Sequence, residues 1–340
     1  MDTMYTAKLH GFPNLTRSNM DQAFTEESIL SLLIVLGSSI SLVALVFAFI
    51  TYSLFSDLRN LSGTTLMNLL AALFMSQLLY VIGVGGVPDS ELCISLAFSL
   101  QYVRLCAFCW MLIMTYHMYS QFRTGLHLVP ITDHNITKHF LRYSLFGWGL
   151  PFVLLGASIL IQYHDKAGKL LDTATLKGQN CWFLDRNAFL YGLIIPCCLI
   201  VVATLFYLAR SAVLARYIIS MQADRRIREK MSRKRTLQIL LFAKIMFVLS
   251  AVLSLGAASK LYKNEMIWIS YHVAQGIQGV LIALLVTCNC QVLKLYTKSI
   301  KSRAARHVPS YVGGRNVATS SVSKSTSLQL LTWEPAPDSV

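Results

Sequence analysis

Apolar residues fall into seven long blocks, at 29–55, 64–86, 92–121, 140–163, 188–216, 237–259 and 266–290, with polar residues concentrated in the short intervals between them. Crossing a bilayer as a helix takes about 20 mostly apolar residues, and every block reaches that length. Lipid offers no partner to an unpaired backbone amide, so blocks of this length must be helical. The pattern predicts an all-α, seven-transmembrane helix bundle over 29–290, preceded by a short polar segment at 1–28. Past the last block, Val292, Leu293, Tyr296 and Ile300 share one helical face flanked by Lys294, Lys298 and Lys301. That predicts a short amphipathic eighth helix over 291–304, lying on the membrane surface. Residues 305–340 turn Ser- and Thr-rich and are expected to be disordered. No internal repeat is visible, which argues against an inverted-repeat transporter.

Composition sharpens the class. Apolar residues make up 55% and charged residues 14%, against about 25% charged in a soluble domain. The net charge of +14 is unevenly placed. With the N-terminus outside, 20 of the 30 Lys and Arg residues fall on cytoplasmic segments, eight outside, and two, Arg104 and Lys244, within blocks. The positive-inside rule selects that orientation, and seven crossings then put the C-terminus in the cytoplasm. The basic balance points to an anionic inner leaflet and acidic partners; nucleic-acid footprints belong to soluble domains. Residues 1–28 hold no cleavable signal sequence, so the first block must direct insertion. So short a segment, without cysteine, builds no core of its own, and a ligand site then belongs to the bundle or its loops unless the chain is a fragment or isoform.

The eight cysteines divide by compartment. Cys93 and Cys181 fall on the outer, oxidising side, where a disulfide persists. Cys106, Cys109, Cys197 and Cys198 lie within blocks and read as core thiols. Cys288 and Cys290, at the inner end of the last block, are either packing residues or palmitoylation sites. Asn14 heads an outward-facing glycosylation sequon, whereas the sequons at Asn60 and Asn135 fall on cytoplasmic loops.

Arg104 is the sharpest single residue. It sits eleven residues beyond Cys93, about 16 Å along a helix, and no Asp or Glu lies in any of the seven blocks. An intramembrane charge marks a functional site by default. Its partners are to be sought among Gln77, Tyr80, Gln275, water or an anionic group on a ligand, which makes Arg104, Gln77, Tyr80 and Gln275 the ligand-pocket candidates. His117 and His272 stand alone on their helices, so no metal site is expected.

Gly147-Trp148-Gly149-Leu150-Pro151 in the fourth block is explicable as helix packing alone, since glycine permits close approach and proline bends the span. As a pattern it resembles the fourth-helix signature of secretin- and adhesion-type (class B) G-protein-coupled receptors. Cys181-Trp182 is similar to the Cys-Trp pair of that class's second outer loop. The Gln278-Gly279-Val280 run, with Asn289, resembles its seventh helix. Asp57-Leu58-Arg59-Asn60-Leu61, the run Leu66–Leu73, and Phe108-Cys109-Trp110-Met111 look like the Methuselah-like and adhesion branch. The resemblance covers about 28–300 and implies a disulfide between Cys93 and Cys181. It also implies a packing signature made of Trp110, Gly147, Trp148, Gly149, Pro151, Trp182, Gln278, Gly279 and Asn289.

Departures are equally specific. Met114 stands where the class usually places a glutamate, the sixth helix lacks its mid-helix Trp and Gly, and no cysteine-rich outer domain or self-cleavage site is recognisable. No Asp-Arg-Tyr closes the third block, and no lysine between Met266 and Cys290 is there to hold retinal. The resemblance implies a plasma-membrane receptor that relays an extracellular signal to heterotrimeric G proteins, with no enzyme activity and no cofactor. Its G-protein-facing edge would hold Arg59, Arg123, Arg216, Arg225, Arg226, Arg228, Arg233, Lys234 and Arg235, and its phosphorylated tail would recruit arrestin. Two alternatives stay open: a seven-helix transporter or channel with Arg104 in its path, and a membrane adaptor that does not signal.

Overall fold

The computed structural model describes residues 17–55, 58, 60–84, 90–124, 134–165, 189–262, 264–288 and 297, and every regular element among them is helical. In chain order these are α1 (Arg17–Leu54), α2 (Leu61–Val84), α3 (Ser90–Thr124), α4 (134–165), α5 (190–221), α6 (Arg225–Leu261) and α7 (Glu265–Thr287). Each carries one stretch long and apolar enough to span a membrane. The seven-helix bundle expected from the apolar blocks is therefore the fold.

Small and polar residues share the buried helix faces with apolar ones. On α1 the buried face holds Ser38, Ser41 and Thr51, while Leu36, Ile40, Val43 and Phe47 point outward. Lipid tails are as apolar as leucine, so burying leucine gains little there, and small or polar residues take the helix contacts. α1 and α7 show what this permits. A Cβ on Gly279 would come within 2.8 Å of Ser41 Cβ, and Gly37 lies against the backbone of Gly276. The Ser41 hydroxyl donates to the Gly276 carbonyl and accepts from the Val280 amide at 3.2 Å, bridging the two ends of one turn of α7. α3 runs through the middle, touching α2, α4, α5 and α6. Residues Leu105 to Met111 on α3 are all buried.

Two prolines leave a clear mark. A π-helical turn at Leu145–Gly149 sits just ahead of Pro151 in α4, and another at Leu190–Ile194 just ahead of Pro196 in α5. Proline has no N–H, and its ring collides with the carbonyl four residues back. That carbonyl belongs to Gly147 in one case and Gly192 in the other, and a widened turn moves it aside.

Like α1, α6 begins twelve residues ahead of its apolar block. It starts at Arg225 rather than 237, so most of the basic stretch between the fifth and sixth blocks is helix and only 222–224 connects α5 to α6. The Asp224 carboxylate accepts from the Arg226 amide at 2.8 Å and caps the start. Lys, Arg and Glu are good helix formers once outside lipid, so the helix continues past its apolar part.

Candidate functional site

Two regions carry the expected site residues: a cavity inside the bundle and the basic end formed by the C-terminal turns of α3 and α5 and the first turns of α6.

The cavity measures about 40 Å³ and lies between α2, α3, α5, α6 and α7. Its apolar wall includes Leu73, Phe108, Phe189 and Leu249; its polar wall is Ser76, Arg104, Tyr271, Gln275 and Gln278. Arg104 and Gln275 both line it. Gln77 stands behind them, its Oε1 accepting from Gln275 Nε2 at 3.4 Å. Tyr80 hydrogen-bonds instead to His272 Nδ1, in a cluster of rings with Trp268 and Tyr271.

The side-chain partner of Arg104 is none of the three residues expected from the sequence. Its Nη2 donates to the Tyr271 hydroxyl at 2.8 Å. Tyr271 reaches it because Gly256 on α6 leaves room for the ring: a Cβ there would meet Tyr271 Cε2 at 2.9 Å. Helical spacing gives no rotation of α7 about its own axis, so the sequence held no signal for Tyr271 beyond its position one turn before Gln275.

The fourth-helix pattern forms a contact set on α3. Gly147 is buried with the Trp110 ring directly above it, so a Cβ would lie 2.5 Å from Trp110 Cε2. Trp110 and Trp148 meet edge to face at 6.0 Å. Trp148 Nε1 donates to Asn68 Oδ1 at 3.3 Å, and the Tyr102 hydroxyl donates to the Trp148 carbonyl at 3.0 Å. One tryptophan therefore joins α2, α3 and α4. Gly149 faces only Leu145, and Gln278 lines the cavity.

At the basic end Arg123, Arg216, Arg225, Arg226, Arg228 and Arg233 are exposed, whereas Lys234 and Arg235 are half-buried. Arg225 pairs with Glu229 at 3.1 Å. The Arg235 guanidinium lies over the Phe122 ring at 5.0 Å, with its Nη1 buried and lacking a hydrogen-bond partner among the described residues. Cys106, Cys109 and Cys197 are buried thiols, but Cys198 faces outward and so is not in the core; Cys288 is exposed. His117 lies 3.4 Å from the Tyr143 hydroxyl. Met114, at the position usually glutamate, is buried. Asn14, Arg59, Cys181, Trp182, Asn289, Cys290, the side chain of Cys93 and all of 291–340 except Thr297 lie outside what the structure describes.

Comparison with known proteins agrees with the seven-helix bundle. Residues 27–282 match the family described as 7 transmembrane receptor (Secretin family). Over 190 residues, 55% of this chain, it is 31% identical to adhesion G-protein coupled receptor G4 of Homo sapiens, of which that match covers 6%. Over 281 residues, 81% of this chain, it is 26% identical to adhesion G protein-coupled receptor E2 of Canis lupus familiaris, covering 32% of it. A match to adhesion G protein-coupled receptor L4 of Danio rerio is 31% identical over 174 residues. The chain spans a third or less of the length of these curated relatives. With three quarters of its residues matched and seven spanning helices, the chain belongs to the secretin family of seven-transmembrane receptors and is a multi-pass protein of the plasma membrane.

Proposed function

We propose that this chain relays an extracellular signal to heterotrimeric G proteins. The observation that carries the reading is the family match over the whole bundle, joined to a basic end with six exposed arginines, Arg123, Arg216, Arg225, Arg226, Arg228 and Arg233. The N-terminus and the cavity mouth lie on the extracellular side, with Asn14 glycosylated and Cys93 bonded to Cys181. The basic end, with Arg59, faces the cytoplasm as the G-protein docking edge and lies against the anionic inner leaflet. Residues 291–304 form the amphipathic helix, anchored by palmitoylation at Cys288 or Cys290, and 305–340 form a Ser- and Thr-rich tail that recruits arrestin once phosphorylated. A ligand reaching Arg104 and Gln275 favours the arrangement in which the first turns of α6 swing away from α3. It shifts the equilibrium only by its difference in affinity for the two states.

The test is ligand-free activation in cells across a panel of Gα subunits, with surface expression measured in parallel. Basal activation of at least one Gα, lost when Arg225, Arg226 and Arg228 are all changed to Gln at unchanged surface level, is the expected result. A panel that stays flat while the protein conducts or transports solute in liposomes would replace this reading with a transporter.

A further inference from the structure

We infer that the cavity between α2, α3, α5, α6 and α7 is a binding site for a small monovalent anion, a halide or the carboxylate head of a short acid, held by Arg104 and Tyr271. The first ground is charge. Arginine keeps its proton in proteins, so Arg104 is a fixed cation about 16 Å along α3 from Cys93. Its hydrogen-bond partner at 2.8 Å is the neutral Tyr271 phenol, which supplies an acceptor and no charge. The nearest carboxylates along α3 and α7 are Glu91 and Glu265, thirteen residues from Arg104 and six from Tyr271, beyond the spanning stretches. Arg104 is half-buried, with no carboxylate among the described residues of the cavity wall, and a charge withdrawn from water without a counter-charge is disfavoured.

Second, the polar lining is rich in donors. Ser76, Tyr271, Gln275 and Gln278 each have an N–H or O–H to donate on the wall that Arg104 shares, and none of the described lining residues is acidic. A cation site would need the reverse. Gln275 and Gln278 are 3% and 8% exposed, so their amides have little access to solvent. The Gln275 amide is also held by Gln77 Oε1.

Third, the volume sets the size of the occupant. At roughly 10–15 Å³ per water-sized body, about 40 Å³ takes three. That fits a halide with two waters, or the three heavy atoms of a carboxylate head set against Leu73, Ala107 and Phe108. An anion there would join Ser76 on α2, Arg104 on α3 and Gln275 on α7, fastening three helices through one ion. The inference needs the pocket and not the coupling: its readouts are physical, so it can fail while G-protein activation stands, and the converse.

The experiment uses the full chain purified into phosphatidylcholine nanodiscs. Thermal unfolding is followed in sodium gluconate while chloride, bromide, acetate, propionate or butyrate replaces gluconate at constant ionic strength. The expected result is a saturable rise in Tm with at least one small anion. Halides alone would identify an ion site, and acetate preferred over butyrate a carboxylate site of the size the cavity allows. Arg104→Gln should raise the half-saturating concentration about tenfold or more, the scale of one lost charge-assisted hydrogen bond, and Tyr271→Phe by less. Should Arg104→Gln fail to fold, Arg104→Lys and Tyr271→Phe replace it, and chloride NMR line broadening on the unaltered chain, competed by bromide, reports binding without a variant. Gluconate-like behaviour of every small anion, or a shift of equal size in the Arg104 and Tyr271 variants, would overturn the site.

Discussion

Gly147 and Gly192 each stand four residues ahead of a proline, yet different groups face them. Against Gly147 lies the Trp110 indole, fully buried and unable to retreat. Against Gly192 lie the Gln101 amide and the Ser158 hydroxyl, the first of which ends a flexible side chain. Alanine is favoured over glycine in a helix interior by about 1 kcal/mol, whereas overpacking a filled core costs about 1–3 kcal/mol. Gly147→Ala should therefore be a net loss and lower the Tm of the purified protein. Gly192→Ala should cost less than Gly147→Ala, because swinging the Gln101 amide and rotating the Ser158 hydroxyl is easier than moving an indole. Equal Tm losses in the two variants would mean that the proline-linked π turns, rather than the facing side chains, set the demand for glycine. The first glycine was legible in the sequence because it belongs to a recognisable Gly-Trp-Gly-x-Pro pattern. The second was not, since a Gly and a Pro four apart, without the tryptophan, look like any bent span.

Between elements, Arg235 over Phe122 ties the third turn of α6 to the last turn of α3. The sequence marks Arg235 as one of nine basic residues between 210 and 235, all equivalent by charge. Only the rotation of the helix separates the half-buried Arg235 from the exposed Arg228 and Arg233. A cation–π contact is worth about 0.5–2 kcal/mol, or roughly two- to thirty-fold in an equilibrium. If outward movement of α6 accompanies activation, that contact must break. Phe122→Leu keeps the apolar bulk, removes the ring face, and is expected to raise ligand-free Gα activation within that range. Arg235→Gln should do the same unless the guanidinium also docks the G protein, in which case the two variants move in opposite directions. Unchanged basal activity in Phe122→Leu at equal surface expression would make the contact ordinary packing. Where each helix lies along the chain was readable because lipid imposes a length; which side it turns to its neighbours was not. Tyr271, Gly256 and Phe122 depend on that rotation, and their signal is divided among three helices far apart in sequence.

For the molecule as a whole, the question is which end faces which compartment. The two ends differ sharply in charge: 222–235 carries Arg225, Arg226, Arg228, Lys230, Arg233, Lys234 and Arg235 against Asp224 and Glu229. Basic residues near an anionic leaflet each gain about 1 kcal/mol, and short connections such as 222–224 are the ones on which the positive-inside rule acts. Even with half of that attraction lost to salt screening, several residues acting together outweigh the weaker and more scattered positive charge at the other end. The exposed side of the bundle cannot choose between orientations, since outward-facing residues such as Leu36, Val43, Val202 and Phe247 are apolar along the length of their helices. Charge decides it. An epitope tag placed after Val340 is expected to react with antibody only in permeabilised cells. Asn14→Gln is expected to abolish the mobility shift produced by glycosidase treatment. A tag reactive on intact cells would invert the topology, removing Arg225, Arg226 and Arg228 from any G protein and leaving the anion site reachable only from the cytoplasm. The anion-dependent Tm, measured in nanodiscs open to solvent on both faces, would be the same in either orientation, so the two results can be read independently.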